Sequence, residues 1–301
     1  MSAVNGQVSK MDRASHLRSN QTTLDQLWAK AKIVHFSDGR LAVSIDATEL
    51  HFLSATQIEA LIKSGEFKAG EKYFLGLDVF DSEPYFAWNS DHPKSQSDDA
   101  PAGYATLREI GGDLDEMQME LALHTVALSN WHKTHPHCAR CGAPTSVAMG
   151  GAVRTCDADK SEHYPRTDCA VIVLVRDADD RILLGRQAIW PEGRFSCFAG
   201  FLEPGETFEQ CVQREVYEES GVAVREINYL GSQPWPFPAS IMISFEAITD
   251  FPEVARPDGE EIVEIKWLSR TQFNEQVADG SLSLPPIMSV SRKMIDRWLY
   301  A

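Results

Sequence analysis

Residues 200–222 read GFLEPGETFEQCVQREVYEESGV, and their caps, apolar positions and acids define the element around which the C-terminal half is built. Thr207 with Gln210 forms a capping box, and Gly221 stands where a helix needs a left-handed stop, which predicts one helix over 208–220. Phe208, Cys211, Val212 and Val216 give that helix a buried stripe. Glu215, Glu218 and Glu219 recur at i, i+3 and i+4, so three carboxylates crowd one face. Such crowding costs a few tenths of a kcal/mol per pair, and the helix dipole opposes anions near a C-terminus. A divalent cation reverses both penalties, and Mg²⁺ is typically held by one or two carboxylates together with substrate phosphates.

An arbitrary Glu-rich helix is most often a solvated face. Here, however, the acids sit in the spacing Gly200-x5-Glu206-x7-Arg214-Glu215-Val216-x-Glu218-Glu219-x-Gly221-Val222, which arises by chance in a chain of this size with a probability on the order of 10⁻⁷ at average residue frequencies. The pattern resembles the full signature of the Nudix hydrolases. That resemblance implies an α/β/α sandwich around a mixed sheet, and hydrolysis of a nucleoside diphosphate linked to another moiety with Mg²⁺ or Mn²⁺. It implies that Glu215 and Glu219 bind metal and that Glu218 binds metal or assists the attacking water. Arg214 would orient the carboxylates, and the Ala199 carbonyl would be a further metal ligand. The chemistry suits the residues, because attack on a diphosphate needs its charge neutralised and a water activated.

Beyond this segment lies Ser232-Gln-Pro-Trp-Pro-Phe-Pro-Ala-Ser240. Prolines at 234, 236 and 238 remove three backbone donors and fix φ, which predicts an extended, stiff rod presenting Trp235 and Phe237. Such a rod serves as a structural edge, as an interface, or as a wall on which a flat ring stacks. The string resembles the motif of the NADH pyrophosphatase branch of the family, a likeness that is weak over the first 100 residues and strong from about Cys138 onward. It implies cleavage of NAD(H) into nicotinamide mononucleotide and AMP, removal of the NAD cap from RNA 5′ ends, and a homodimer whose active site uses both subunits. Under it, Gln233, Pro234, Trp235, Pro236, Phe237, Pro238, Ala239 and Ser240 line the substrate site and Glu261 is a further metal ligand. Phe201 and Tyr164 would stack the adenine, Ser291 would give a backbone contact, and Arg108 would face the substrate. Read by themselves, Phe201 and Tyr164 have core packing as the alternative, and Arg108 has an ordinary surface position.

Upstream, Cys138-Ala-Arg-Cys141-Gly is knuckle-like, and Cys156 follows. The family's ribbon carries a fourth cysteine shortly after, where this chain has Asp159 and Ser161. Structural zinc wants four closed ligands, so either His163, Asp159 or His137 completes the set or the ribbon is held by packing without Zn²⁺. Cys169, Cys197 and Cys211 sit in apolar or helical contexts and read as buried thiols.

The remaining organisation follows from composition and periodicity. Over 301 residues, with 43% hydrophobic and 24% charged, the composition is globular and the length suits two domains. We expect an α/β protein: a flexible arm over 1–20, an α/β domain over 21–134, a zinc-ribbon-like segment over 135–166 and the Nudix sandwich over 167–301. Strands are predicted from Leu41 and Tyr73, a helix around 56–63, a loop over 89–103, and a long helix starting on an Asp113/Glu116 cap. Apolar strands are predicted at 169–175, 182–184, 241–248 and 262–268, with a closing helix carrying Val290, Met294 and Trp298.

No apolar run approaches the roughly 18 residues of a spanning helix and no signal core is present, which points to a cytoplasmic protein. A net charge of −16 disfavours broad tracking of nucleic acid or docking on anionic membranes. It is concentrated: residues 200–222 hold six glutamates against one arginine, and residues 250–279 hold eight acids against three bases. A phosphate substrate is therefore to be held through divalent cations. Two other readings stay open, a hydrolase of ADP-ribose or other dinucleotides and a noncatalytic dinucleotide sensor, although a sensor has no need of the four glutamates Glu206, Glu215, Glu218 and Glu219.

Overall fold

The structure, a computed structural model, describes residues 8–90 and 103–300. The chain divides into two compact units, one containing 167–235 and 240–300, the other 8–166 together with Pro236–Ala239.

In the first unit a mixed sheet runs in the spatial order Arg225–Trp235, Ser240–Ile248, Asp168–Arg176, Ile182–Gln187, Ile262–Leu268, and Phe198–Phe201 also pairs with Asp168–Arg176. The central pair, Asp168–Arg176 with Ser240–Ile248, is parallel, and every other pairing is antiparallel. The unbroken apolar run at 169–175 is explained by burial on both faces. Val171, Val173 and Val175 pack with Cys211, Val212 and Val216 of the helix Phe208–Ser220. Ile172 and Leu174 face the other way, onto Phe273 of the helix Arg270–Ala278 and Val290, Met294 and Trp298 of the helix Val290–Tyr300. The result is the α/β/α sandwich expected.

The proline segment differs from expectation. It is the end of a β-hairpin and not an extended rod: Ser232 to Trp235 finish one strand, 236–239 turn, and Ser240 opens the next. Pro234 is tolerated opposite Ile241 because its strand is at the sheet edge, where a missing N–H costs no ladder bond.

The second unit carries a seven-stranded sheet, with Lys32–Ser37, Glu71–Asp78 and Pro84–Asn89 at its centre. A core of Trp28, Ile33, Ile58, Phe74, Phe86 and Trp88 lies beneath the helices Gln21–Trp28 and Ala55–Lys63. The segment 135–166 forms a separate three-stranded sheet within this same unit, Thr145–Ala148, Val153–Cys156 and Glu162–His163.

Three local expectations are corrected. Residues 8–20 are not a loose arm, because Met11–Asp12 pairs with Glu71–Asp78 and Met11 is buried; residues 1–7 lie outside the described residues. The long helix is Glu116–Thr134, capped by Asp115, whose side chain accepts from Gln118 N, while Asp113 belongs to the preceding turn. The strand at Leu41 is Arg40–Ala42 and stops early, since Ser44 turns the chain by donating to Asp46 and leaves Ile45 exposed. The loop expected at 89–103 falls outside the described residues except at its ends, where Asn89 closes a strand.

Candidate active site

The helix Phe208–Ser220 is built as its sequence reads. Thr207 and Gln210 exchange both bonds of the capping box, and Gly221 adopts φ 70°, the left-handed stop. These caps fix the rotation of the helix and place Glu219 inward (5% exposed) while Glu218 is exposed.

Arg214 organises the acids. Its Nε and Nη2 donate to the two oxygens of Glu206 at 2.6 and 2.8 Å, Nη1 donates to Glu215 at 2.7 Å and to Glu218 at 3.1 Å, and Nη2 donates to the Phe201 carbonyl at 2.9 Å. A planar fork can serve this many acceptors at once, which an ammonium cannot. Hydrogen bonds from Arg214 and the Glu203 backbone pull Glu206 down to about 2. Glu206 is thus an anchor for the arginine, an assignment missing from our reading of the metal ligands. Glu215 lies against the strand Phe198–Phe201 at Gly200, where a Cβ would overlap its carboxylate.

Glu219 is the most perturbed acid. Burial first, then the charges of Glu261 and Glu215, push it up to about 9, and a hydrogen bond from the Ala199 backbone opposes the rise. Its Oε2 is buried and has no hydrogen-bond partner among the described residues. Glu261 opens the strand Ile262–Leu268; its backbone N–H, with those of Glu260 and Ile262, donates to Asp258, and its side chain accepts from Gln187 at 2.6 Å. The site thus holds Glu215, Glu219, Glu261 and the Ala199 backbone around a buried oxygen that lacks a partner. A divalent cation satisfies that oxygen and relieves the like-charge repulsion. The donors are all hard oxygens, as Mg²⁺ or Mn²⁺ require. An ion held by so few carboxylates would keep waters and share substrate oxygens.

The substrate candidates separate into two kinds. Phe201 and Tyr164 are 57% and 64% exposed, so neither is a core aromatic, and Tyr164 donates to Glu162 at 2.6 Å. Gln233 is buried, with its amide donating to the Met288 carbonyl and accepting from Val290 N, both at 2.7 Å. Ser291 is buried too, bonded to Ser196 Oγ and to Cys197 N. These two side chains lock the hairpin strand and the C-terminal helix in place. Pro234, Pro238 and Ala239 are exposed or half-exposed, Trp235 and Phe237 are half-buried, and Pro236 and Ser240 are buried.

Within the second unit Arg108 lies over the Phe237 ring, 4.0 Å from its centroid. Asn130, which sequence reasoning missed, donates to the Pro236 and Pro238 carbonyls at 3.0 and 3.3 Å. Its signal was indirect, since a proline-rich turn exposes carbonyls that need donors from elsewhere. A cavity of about 400 Å³ opens beside Pro238 and Ala239, lined also by Asn130, Lys133, His135 and Arg166.

The ribbon brings Cys138, Cys141 and Cys156 together with Asp159, their ligand atoms all within 4.8 Å of one another; His137 and His163 are not in this group. Cys141 and Cys156 stand 3.6 Å apart. That is too far for a disulfide and close to the edge, about 3.8 Å, of a tetrahedron with metal–sulfur bonds of ~2.3 Å. Burial pushes the Cys197 and Cys211 thiols up to about 12, which makes them inert packing groups.

Residues 166–288 match the NUDIX domain, and residues 133–164 match the NADH pyrophosphatase zinc ribbon domain. The chain is 36% identical over 295 residues to the NAD-capped RNA hydrolase NudC of Mycobacterium bovis (strain BCG / Pasteur 1173P2), covering 95% of this chain and 92% of that protein. It is 35% identical over 224 residues to the NAD-capped RNA hydrolase NudC of Stutzerimonas stutzeri (strain A1501), covering 74% of this chain and 76% of that one. With a signature helix that presents its glutamates as the sequence requires, and with likeness over nearly the full length of a NudC protein, the chain belongs to the Nudix hydrolases, in the group that carries the NADH pyrophosphatase zinc ribbon.

Proposed function

We propose that this chain hydrolyses the diphosphate of NAD(H) to nicotinamide mononucleotide and AMP, and removes the NAD cap from RNA 5′ ends. The observation that carries the reading is the Glu219 Oε2 atom, buried without a partner beside Glu215 and Glu261. A buried carboxylate in that state costs free energy, and the cost is recovered when a cation binds. Mg²⁺ or Mn²⁺ at these residues supplies charge neutralisation on the diphosphate and activation of the attacking water. Arg214 keeps Glu215 and Glu218 aimed, and Gly200 leaves room for the Glu215 carboxylate; in this reading Glu218, which is exposed, binds metal or assists the attacking water.

The substrate class rests on the names of the relatives and on exposed aromatics that suit flat rings. We also infer a cytoplasmic protein and, from the resemblance, a homodimer. All six cysteines are free thiols. No helix among the described residues is long and apolar enough to cross a membrane. Light scattering should return twice the 33.6 kDa chain mass. The activity itself is tested with Glu219→Gln, which removes the charge while keeping the shape. Abolished Mn²⁺-dependent NADH cleavage is expected, and retained cleavage overturns the assigned catalytic face.

A further inference from the structure

We propose that the ribbon holds a four-coordinate divalent metal in a shell of three thiolates and one carboxylate, with Asp159 Oδ2 as the fourth ligand and Ser161 as the residue that orients it. The two ligand turns of the ribbon are built to one plan. In the first, Cys138 is followed three residues later by Cys141 and then by Gly142, which adopts φ 76° and donates its N–H to the Cys138 carbonyl at 2.9 Å. In the second, Cys156 is followed three residues later by Asp159 and then by Lys160, which adopts φ 60° and donates to the Cys156 carbonyl at 3.1 Å. Asp159 therefore occupies in the second turn the place that Cys141 occupies in the first. A non-glycine residue held at positive φ at the matching position shows that the turn is over-determined by its surroundings.

Each turn also aims backbone N–H groups at its first sulfur, Arg140 N at Cys138 Sγ and Asp159 N at Cys156 Sγ, both at 3.4 Å. These donors suit thiolates better than thiols. The carboxylate of Asp159 is divided between two tasks. Oδ1 accepts from Ser161 N at 2.9 Å and from Ser161 Oγ at 2.5 Å. Oδ2 is turned towards Cys138 Sγ, 3.9 Å away, on the side of the sulfurs. Ser161 thus fixes a one-oxygen ligand in the way that outer hydrogen bonds commonly orient metal-bound carboxylates. His163 contacts Ser161 Oγ at 3.2 Å and stands one shell further out, which excludes it from coordination here. Zinc accepts one oxygen among three sulfurs at tetrahedral distances.

The test is a cobalt and zinc titration of the full chain after metal removal, read by thiolate-to-cobalt charge transfer and by elemental zinc content. The charge-transfer band reports only sulfur-bound metal, so the signature glutamates are silent. One tightly held ion per chain with tetrahedral cobalt bands is expected. Asp159→Ala should weaken metal binding by at least about 10-fold, Ser161→Ala should weaken it in the same direction and shift the cobalt bands, and His163→Ala should change neither. Asp159→Cys, which stays folded if the site is what we describe, should retain the ion and intensify the charge transfer through a fourth thiolate. Unchanged cobalt spectra and zinc content in Asp159→Ala, loss of metal in His163→Ala, or no added charge transfer in Asp159→Cys each overturn the proposal.

Discussion

The carboxylate of Glu215 occupies the space that a side chain at Gly200 would need, so that the helix Phe208–Ser220 and the strand Phe198–Phe201 approach each other through a missing Cβ. Gly200 has no positive φ, and its identity is set by this close approach alone. Gly200→Ala should therefore fold and yet displace Glu215. A misplacement of about 1 Å at a catalytic group costs on the order of 100-fold in rate. We expect that loss in kcat/KM, with a weakened Mn²⁺ dependence and little change in far-UV circular dichroism.

Glu219 gives a pH prediction with a definite sign. Its value in the folded chain, about 9, stands above its ordinary 4.5, so the folded state keeps a proton that the unfolded state loses. Stability of the metal-free protein should fall as pH rises from about 4.5 towards 9. Glu219→Gln should remove that slope and stabilise the metal-free protein at neutral to alkaline pH, by an amount on the order of 1–3 kcal/mol, seen as a higher thermal midpoint. Thermal scans of both proteins across this range check it. Mn²⁺ should stabilise the wild type more than Glu219→Gln, and the wild type more strongly at higher pH, because binding must displace the proton.

Arg214 serves three glutamates and the Phe201 carbonyl. Arg214→Lys keeps the charge and loses the fork, so the carboxylates are no longer aimed together. A drop in kcat of at least about 10-fold with little change in KM for NADH is the expected pattern; a comparable rise in KM with kcat unchanged would place the residue in ground-state binding.

Arg108 stacks on Phe237 within the second unit. A cation–ring contact is worth about 0.5–2 kcal/mol. Arg108→Ala should lower kcat/KM for NADH by roughly 2- to 30-fold, and Arg108→Lys should not restore it if the flat stack is what matters. Steady-state kinetics of the two variants decide.

Much of this was legible in sequence where the determinants are local. Thr207, Gln210 and Gly221 bound the signature helix at the residues read, and the run at 169–175 is buried on both faces as a central strand should be. What escaped depended on partners distant in sequence. Met11 belongs to a sheet because Glu71–Asp78 offers it an edge, and Asn130 meets carbonyls more than a hundred residues away. The three prolines predict an extended rod, but a hairpin end and a rod use the same φ, and only the pairing with Ser240–Ile248 separates them. The fourth ribbon ligand was open among Asp159, His163 and His137 because spacing alone does not show which turn matches the first.

The most direct measurement is a competition in which NADH, ADP-ribose and an NAD-capped RNA are offered together with Mn²⁺ and the products are resolved by mass. We expect reduced nicotinamide mononucleotide and AMP from NADH and a 5′-monophosphate RNA from the capped strand, with ADP-ribose cleaved far more slowly. Efficient cleavage of ADP-ribose with no nicotinamide mononucleotide released would contradict the account.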